Sequence, residues 1–274
     1  MSIKTILLHL NNDPQLESRI ETALNLAALH GAHIKALYTI AQVTVPTSFM
    51  GYVPPEFIEH SKVAEEKQAA EAKAKLDKLS SAAGQEIEFV VEEGYAPDLI
   101  NEHAVAVDVV IVGQGDPDAD NNMQSQYIAD ELVVSSPRPV LVIPYAGEYK
   151  KFGKHVLVAW NNSREASRAL HEALPFLANA DKVTLLSVNA DEDESYETAH
   201  VIAHLKRHGI EATFKAGVWP DIKVGDALLD ALVDYSADML VMGAYGHSRL
   251  REMILGGATE NTLAHMTAPV LFAH

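Results

Sequence analysis

The residues best suited to bind a small ligand lie near the carboxyl end of the chain. Glycine recurs there, directly after the short apolar run Met239–Met242, at positions 243, 246, 256 and 257. Glycine lets backbone N–H groups approach a ligand closely, and the predicted helix Thr259–Met266 adds the unpaired donors of a helix amino terminus. These features predict a phosphate-binding loop, and the alternative is that the glycines form only a tight turn and a helix cap.

Side chains within the same segment indicate whether it binds a phosphate group or catalyses a reaction. The Thr259 hydroxyl is a candidate hydrogen-bond donor, and Arg249 and Arg251 are the nearby cations that a phosphate group would need. His247 and Ser248 are neighbours in this segment, but adjacent loop residues rarely face each other, and no acid is placed to orient the histidine. We therefore predict ligand binding rather than a hydrolase triad.

An internal repeat places this segment in the second of two similar halves. The run Ile3–Asn12 (IKTILLHLNN) reappears as Lys154–Asn162 (KHVLVAWNN), and each run ends at a pair of asparagines. Three further pairs of apolar runs follow in the same order: Ile34–Ile40 with Val183–Asn189, Asp108–Gly113 with Asp238–Gly243, and Pro139–Ile143 with Pro269–Ala273. The repeat predicts two domains, residues 1–148 and 149–274, joined within the polar stretch Tyr145–Gly153.

The spacing of apolar residues predicts the same fold for both halves. The repeated runs are rich in Val, Ile and Leu at nearly every position, as in parallel strands buried on both faces. Segments of helical period separate them: Leu16–Leu29, Val63–Leu79, Pro97–Val107, Ser163–Leu177, Ser195–His208 and Ile222–Tyr235. This alternation predicts doubly wound α/β domains, each a mostly five-stranded parallel sheet with helices on both faces. The stretch Val45–Lys62, which contains Pro and Gly, is predicted to be a surface loop.

Composition argues against several classes of protein. The net charge of −17 argues against a basic surface for nucleic acid or an anionic membrane, and the first half carries the larger share of it. The chain has no cysteine, which excludes disulfides, thiolate metal sites and cysteine nucleophiles. No apolar run reaches the roughly 18–20 residues of a membrane span, and the amino-terminal run breaks at His9. We expect a cytoplasmic protein.

The glycine segment resembles a known nucleotide-binding signature. The spacing GxxGx(9)G at Gly243, Gly246 and Gly256, followed by TEN and the run PVLF, is similar to the ATP-binding motif of the universal stress protein superfamily. The resemblance spans both halves, as in tandem members, and implies an adenine nucleotide alpha-hydrolase-like fold. It also implies the contacts of ATP or a related adenine nucleotide, which are Ala159, Trp160, Asn161, Val188, Met242, Gly243, Gly246, Gly256, Gly257, Ala258 and Thr259.

Two positions depart from that signature. Asn161 stands where nucleotide-binding members usually have Asp, and Gly257 stands where they usually have Ser or Thr. Asn161 keeps an acceptor for a ribose hydroxyl but lacks the negative charge, and Gly257 removes one hydroxyl from the phosphate site. We therefore expect a weaker affinity or a different ligand.

The first half has lost the glycine loop. Gly113 is followed there by Gly115 and then by Asp116, Asp118 and Asp120, and clustered carboxylates repel phosphate. We expect this half to be a structural or regulatory partner, or to bind an uncharged ligand. A calcium loop is the alternative for the acidic run, but the glycine at position 6 and the glutamate at position 12 of such a loop are missing.

Histidines recur at every fourth position of one predicted helix, at His200, His204 and His208. Histidines with this spacing can chelate a metal such as zinc. The apolar stripe of the same helix leaves all three on its polar edge, where solvated side chains are expected. We predict a surface role for them, with metal binding as the alternative.

The sequence as a whole predicts a stress protein that binds an adenine nucleotide. ATP or a relative would bind in the second half, with Mg²⁺ supplied by solution, and the first half would complete a pseudo-symmetric pair. Phosphoryl transfer needs a positioned nucleophile and a metal-organising group, and neither is identified, so we expect at most slow ATP hydrolysis. Two alternatives stay open, a slow ATPase and an interaction protein with a vestigial loop. A homodimer and a protein partner also stay open.

Overall fold

The computed structural model describes residues 2–41, 55–116, 123–189, 194–245 and 257–274. Its strands are β1 Thr5–Leu10, β2 His33–Ile40, β3 Ile87–Glu93, β4 Val109–Gly113, β5 Val140–Ile143, β6 His155–Ala159, β7 Lys182–Val188, β8 Ala212–Gly217, β9 Met239–Gly243 and β10 Val270–Ala273. Its helices are α1 Leu16–His30, α2 Pro55–Ala83, α3 Ala96–Ala104, α4 Met123–Ser135, α5 Arg164–Leu177, α6 Glu194–Arg207, α7 Val224–Asp234 and α8 Ala258–His265. Among the helices within these ranges, none combines the length and apolar composition needed to cross a membrane.

All the described strands lie in one sheet, with the order β3-β2-β1-β4-β5-β10-β9-β6-β7-β8. Every neighbouring pair is parallel except β5 and β10, which pair antiparallel and join the two halves. Each half has the same internal strand order, so an approximate twofold axis passes through the β5–β10 pair. The predicted doubly wound α/β fold is confirmed, and the sheet continues from one half into the other.

Helices cover both faces of the sheet because successive side chains of a strand point to opposite sides. Val158 and Trp160 lie in a buried cluster with side chains of α5, whereas Leu157 lies in a second cluster with side chains of α7 and α8. The Ser163 hydroxyl caps α5 by accepting a hydrogen bond of 3.1 Å from the Ala166 N–H. The first turn of α5 is thereby held at the carboxyl end of β6, the edge where ligands of doubly wound sheets bind.

Strand pairing shows which positions of the two halves correspond. The β1–β4 and β6–β9 pairs have matching registers, and so do the β1–β2 and β6–β7 pairs. Counting along these strands matches three pairs of residues at the carboxyl edges: His9 with Ala159, Thr39 with Val188, and Gly113 with Gly243. The two halves can therefore be compared residue by residue where a ligand would bind.

Some elements differ from the sequence prediction. β3 and β8 were not predicted, because they are the outer strands and alternate between partly buried and exposed side chains instead of forming an apolar run. α4 was not predicted either, because the segment after Gly113 was interpreted only as an acidic replacement for the glycine loop. The predicted surface loop Val45–Lys62 is wrong in its second part: α2 begins at Pro55, a residue type that suits the first turn of a helix. Residues 42–54 lie outside the described ranges.

Two acids interact across the junction of the halves. Asp130 belongs to α4 and Glu260 belongs to α8. Burial, and then the charge of Glu260, raise the pKa of Asp130 from 3.8 to about 6. A raised pKa means that the folded state disfavours the charged carboxylate, so this cost is fully present above about pH 6 and vanishes below about pH 4.

We expect Asp130→Asn to stabilise the protein at neutral pH by about 1 kcal/mol, a value reduced for the solvent exposure of the side chain. The gain should disappear near pH 4, where Asp130 is protonated in both the folded and the unfolded state. Thermal unfolding of parent and variant at the two pH values measures this. Asp234→Asn, at an exposed position of α7, is the control and should change the stability little at either pH.

Candidate functional site

The carboxyl ends of β9, β6 and β7 form one edge of the second half. β6 lies between the other two strands and is parallel to both, so the three strand ends meet at this edge. Ala159 ends β6, Val188 ends β7 and Gly243 ends β9. Three residues that the family resemblance implies as ligand contacts are therefore neighbours at the position where ligands of this fold class bind.

The amino terminus of α8 lies beside the end of β9. The Tyr245 N–H donates a hydrogen bond of 3.2 Å to the Thr259 hydroxyl, which is buried. A hydroxyl that accepts one hydrogen bond still carries a hydrogen for an acceptor such as a phosphate oxygen. The N-cap residue Gly257 offers no side chain to the backbone N–H groups of the first turn. Gly257, Ala258 and Thr259 therefore bring hydrogen-bond donors close to Gly243.

Gly243 lies against the first turn of α5. A Cβ atom at this position would be 2.5 Å from the Glu165 carbonyl carbon and 2.6 Å from the Ala166 nitrogen. Backbone atoms cannot turn away as the end of a side chain can, so only glycine allows β9 and α5 to approach this closely. The glycine is required by packing, apart from any role in binding.

An apolar wall lines the same edge on the sheet face that α7 and α8 cover. Its members are partly buried against one core cluster: Ala159, Val188, Trp219, Tyr245 and Ala258. Met242, the residue before Gly243, is buried within that cluster. Partly covered apolar side chains beside a few polar groups are the usual lining of a site for an aromatic base.

Trp219 is a member of this wall that the sequence analysis did not select. Its backbone N–H donates to Asn189 Oδ1 over 2.6 Å, and its ring packs on Gly217 at the end of β8. Asn189 follows β7 directly and has a left-handed φ of 56°. A tryptophan just after a strand is a sequence signal for a residue at the ligand edge. It was missed because β8 itself was not predicted.

Trp160 is positioned differently from Ala159. Its ring is buried in the cluster with α5, on the sheet face opposite to the apolar wall. Its backbone N–H donates to the Leu186 carbonyl over 2.9 Å, and its own carbonyl accepts the Ser187 hydroxyl over 2.7 Å. The Trp160 ring is therefore a core group, and stacking on a base would have to come from another aromatic residue.

Asn161 is exposed at the end of β6. Its Oδ1 accepts a hydrogen bond of 3.2 Å from the Ser163 N–H, which stabilises the turn into α5. The acceptor that the sequence assigned to a ribose hydroxyl is thus engaged in the turn. This arrangement leaves the second lone pair of that oxygen, as an acceptor, and the amide nitrogen, as a donor, for a sugar hydroxyl.

The charges at this edge are mixed. Glu165 is buried next to Gly243, and its Oε1 lies 3.1 Å from Arg164 Nε and 3.0 Å from Arg164 Nη2. The Glu165 carboxylate alone would repel a phosphate group, and Arg164 offsets that charge at the rim. A cation at this place can therefore be shared between Glu165 and an anionic ligand.

Part of the predicted loop lies outside the described ranges. This applies to Gly246 and Gly256, to the neighbouring pair His247 and Ser248, and to Arg249 and Arg251. It also applies to Asp118 and Asp120 of the acidic run in the first half.

The equivalent edge of the first half is filled by its own side chains. His9 stands at the position of Ala159, and its Nε2 lies 2.9 Å from the hydroxyl of Thr39, at the position of Val188. His9 is only 2% exposed, and burial, followed by the charge of Arg19, lowers its pKa to about 3. A neutral imidazole therefore stands in the first half where the second half has the small side chain of Ala159.

A buried guanidinium lies under Gly113 in the first half. Arg19 Nη1 is 2.7 Å from Asp13 Oδ2, Nη2 is 2.5 Å from Asn11 Oδ1, and Nε donates to the His9 carbonyl over 3.2 Å. A Cβ atom on Gly113 would lie 2.5 Å from the same Nη1. The Arg19 guanidinium, which comes from α1 and is paired with Asp13, therefore fills the space next to Gly113.

These features define a doubly wound α/β protein whose two equivalent strand edges carry different side chains, small and apolar in the second half and polar in the first. The model of the universal stress protein family matches residues 2–144 and 221–274. The chain belongs to the universal stress protein family. Universal stress protein Slr1230 of Synechocystis sp. is 27% identical to it over an alignment of 226 residues that covers 78% of this chain and 75% of that protein.

Solved structures of similar proteins share the fold over the whole chain. A universal stress protein from Archaeoglobus fulgidus superposes with a TM-score of 0.77 at 18% identity, covering 98% of this chain and 95% of that one. A putative universal stress protein from Pseudomonas aeruginosa gives a TM-score of 0.62 at 15% identity, covering 99% and 93%. At these identities the likeness concerns the fold, including its two-half organisation.

Proposed function

We propose that the second half of this universal stress protein binds an adenine nucleotide, ATP or a close relative, at the carboxyl edge of β9, β6 and β7. The base lies against Ala159 and Val188, and the phosphates lie between Gly243 and the amino terminus of α8. Mg²⁺ arrives with the nucleotide from solution. The first half is the structural partner in this proposal and binds no nucleotide.

The observation that carries the proposal is the contrast between the halves at one pair of equivalent positions. Ala159 is small and partly buried beside the apolar wall, whereas His9 is buried and bonded to Thr39 at the same place in the first half. The glycine-rich sequence after β9 and the donors of α8 supply the phosphate side. The net charge of −17 favours a small anion bound at a local site over nucleic acid.

The double substitution Ala159→His with Val188→Thr tests the proposal. It builds into the second half the pair of side chains that fills the first, so the variant has a folded precedent within the same chain. We expect it to keep its fold and to bind ATP at least tenfold more weakly, a loss of about 1.4 kcal/mol or more. Titration calorimetry with ATP and Mg²⁺ measures the affinity, and circular dichroism verifies the fold.

Lys182→His is the matched control for this experiment. It adds a histidine at the opposite end of β7, where the first half has His33, and it should leave the affinity for ATP unchanged. If the folded double variant binds ATP as tightly as the parent does, the proposed position of the base is wrong. If the parent itself binds no adenine nucleotide, the interaction protein becomes the better hypothesis.

A further inference from the structure

Three histidines come together where α5 approaches the end of α6. The ring centroids of His171 and His204 are 5.0 Å apart, and those of His204 and His208 are 4.7 Å apart. His171 belongs to α5, and His208 follows His204 by one helical turn. The expectation that all these histidines are solvated is wrong for His204, because its Nε2 is buried and has no hydrogen-bond partner. Such a nitrogen is unfavourable unless a ligand uses it.

The rings offer lone pairs in the form that metal ions require. His171 Nδ1 lies 2.7 Å from the Ser167 carbonyl, an acceptor, so Nδ1 carries the hydrogen and Nε2 carries the lone pair. Histidine ligands of metals commonly donate their second N–H to a backbone carbonyl in this way.

The spacing of the rings suits a shared ion. A metal–nitrogen bond of about 2.0–2.1 Å places neighbouring imidazole centres around a tetrahedral ion about 5 Å apart. Within the described ranges no three His, Cys, Asp or Glu side chains are already arranged to hold a metal, so binding requires the rings to turn. His171 and His208 are exposed, and exposed side chains change rotamer readily.

We infer that His171, His204 and His208 capture a divalent transition-metal ion of the zinc or nickel class. Imidazole nitrogens suit these ions, and water completes the coordination shell. The ion links α5 to the end of α6 through His171 of α5, His204 of α6 and His208, the residue that directly follows α6. This site is separate from the nucleotide edge, so it stands or falls independently of the proposed function.

Titration of the untagged full-length chain with ZnCl₂, and separately with NiCl₂, tests the inference. We expect one equivalent to bind at neutral pH, with a loss of affinity of about a hundredfold for His204→Ala and about tenfold for His171→Ala and for His208→Ala. Zn²⁺ should also raise the unfolding temperature of the parent but not that of His204→Ala, because an ion that binds only the folded state stabilises it. Circular dichroism verifies that each variant folds.

His60→Ala, at an exposed position of α2, is the control and should bind Zn²⁺ like the parent. An unchanged affinity in His171→Ala would overturn the link between the helices, since the ion would then be held by α6 alone. Absence of stoichiometric uptake by the parent would overturn the site itself. A loss as large in His60→Ala as in His204→Ala would show binding scattered over surface histidines, which also overturns it.

Discussion

Replacing Asp13 with asparagine should lower the free energy of unfolding by about 3–5 kcal/mol, the cost of leaving a buried charge without its partner. The Arg19 side chain is 1% exposed, and Asp13 is its ion-pair partner at 2.7 Å. Asparagine has nearly the same volume and keeps the oxygen that accepts the Gln15 N–H over 2.8 Å. The substitution therefore removes the charge with little change in shape, and the guanidinium stays buried.

Removing the other partner of the ion pair, Arg19, should cost less stability than removing the charge of Asp13. Arg19→Met keeps the apolar stem and leaves Asp13 unpaired, but the Asp13 side chain is 19% exposed and can be hydrated. We expect a smaller loss of about 1–3 kcal/mol, and the double variant should be more stable than Asp13→Asn alone. Urea unfolding at neutral pH, followed by circular dichroism, measures all three. A loss under about 1 kcal/mol for Asp13→Asn would mean that Asn11 and the His9 carbonyl suffice for the guanidinium.

The burial of Arg19 is a feature that the pattern of polar and apolar residues along α1 does not predict. The stripe of α1 that faces the sheet includes Leu16, Ile20 and Ala23, and Arg19 lies on the same side although its charge predicts a surface position. Its burial depends on Asp13 and on the space under Gly113, which come from the loop and from β4. Such a contact joins residues far apart in the chain, and periodicity within one helix does not contain it.

The interior of the fold was predictable because its strands are buried on both faces. β1, β2, β4 and β5, with their repeats, are apolar at nearly every position and were found directly. The outer strands β3 and β8 have only one covered side and alternate in burial, which made them hard to distinguish from loops. The antiparallel pairing of β5 with β10 was also not predicted, since a repeat gives two copies without saying how they meet.

The candidate site was predictable where strand ends define it and not where tertiary contacts define it. Gly243 follows from the end of a recognisable strand, Ala159 and Val188 follow from the family resemblance, and the structure places all three at one edge. Trp160 is buried on one face of the sheet and Trp219 is partly buried on the other, and the sequence did not predict which face each ring would occupy. The filling of the first half by His9 could have been suspected from the alignment of the two repeats, because a large residue there replaces alanine.

Gly243→Ala should damage both stability and nucleotide binding, since the added methyl group meets backbone rather than the end of a side chain. The new Cβ would lie 2.5 Å and 2.6 Å from the backbone of Glu165 and Ala166, below any ordinary contact distance. β9 and the first turn of α5 must then separate. We expect a loss of about 3 kcal/mol in the free energy of unfolding, at the upper end of the usual cost of overpacking.

The same separation moves the end of β9 away from the amino terminus of α8, so we expect at least tenfold weaker binding of ATP by the folded fraction, about 1.4 kcal/mol. Met239→Leu is the control, because it conserves volume at the opposite end of the same strand, and it should cost under about 1.5 kcal/mol without weakening binding. Urea unfolding gives the stabilities, and titration calorimetry below the unfolding transition gives the affinities. A Gly243→Ala variant that is destabilised but binds ATP like the parent would assign Gly243 to helix packing alone, and the phosphates would then have to be held by other residues of the edge.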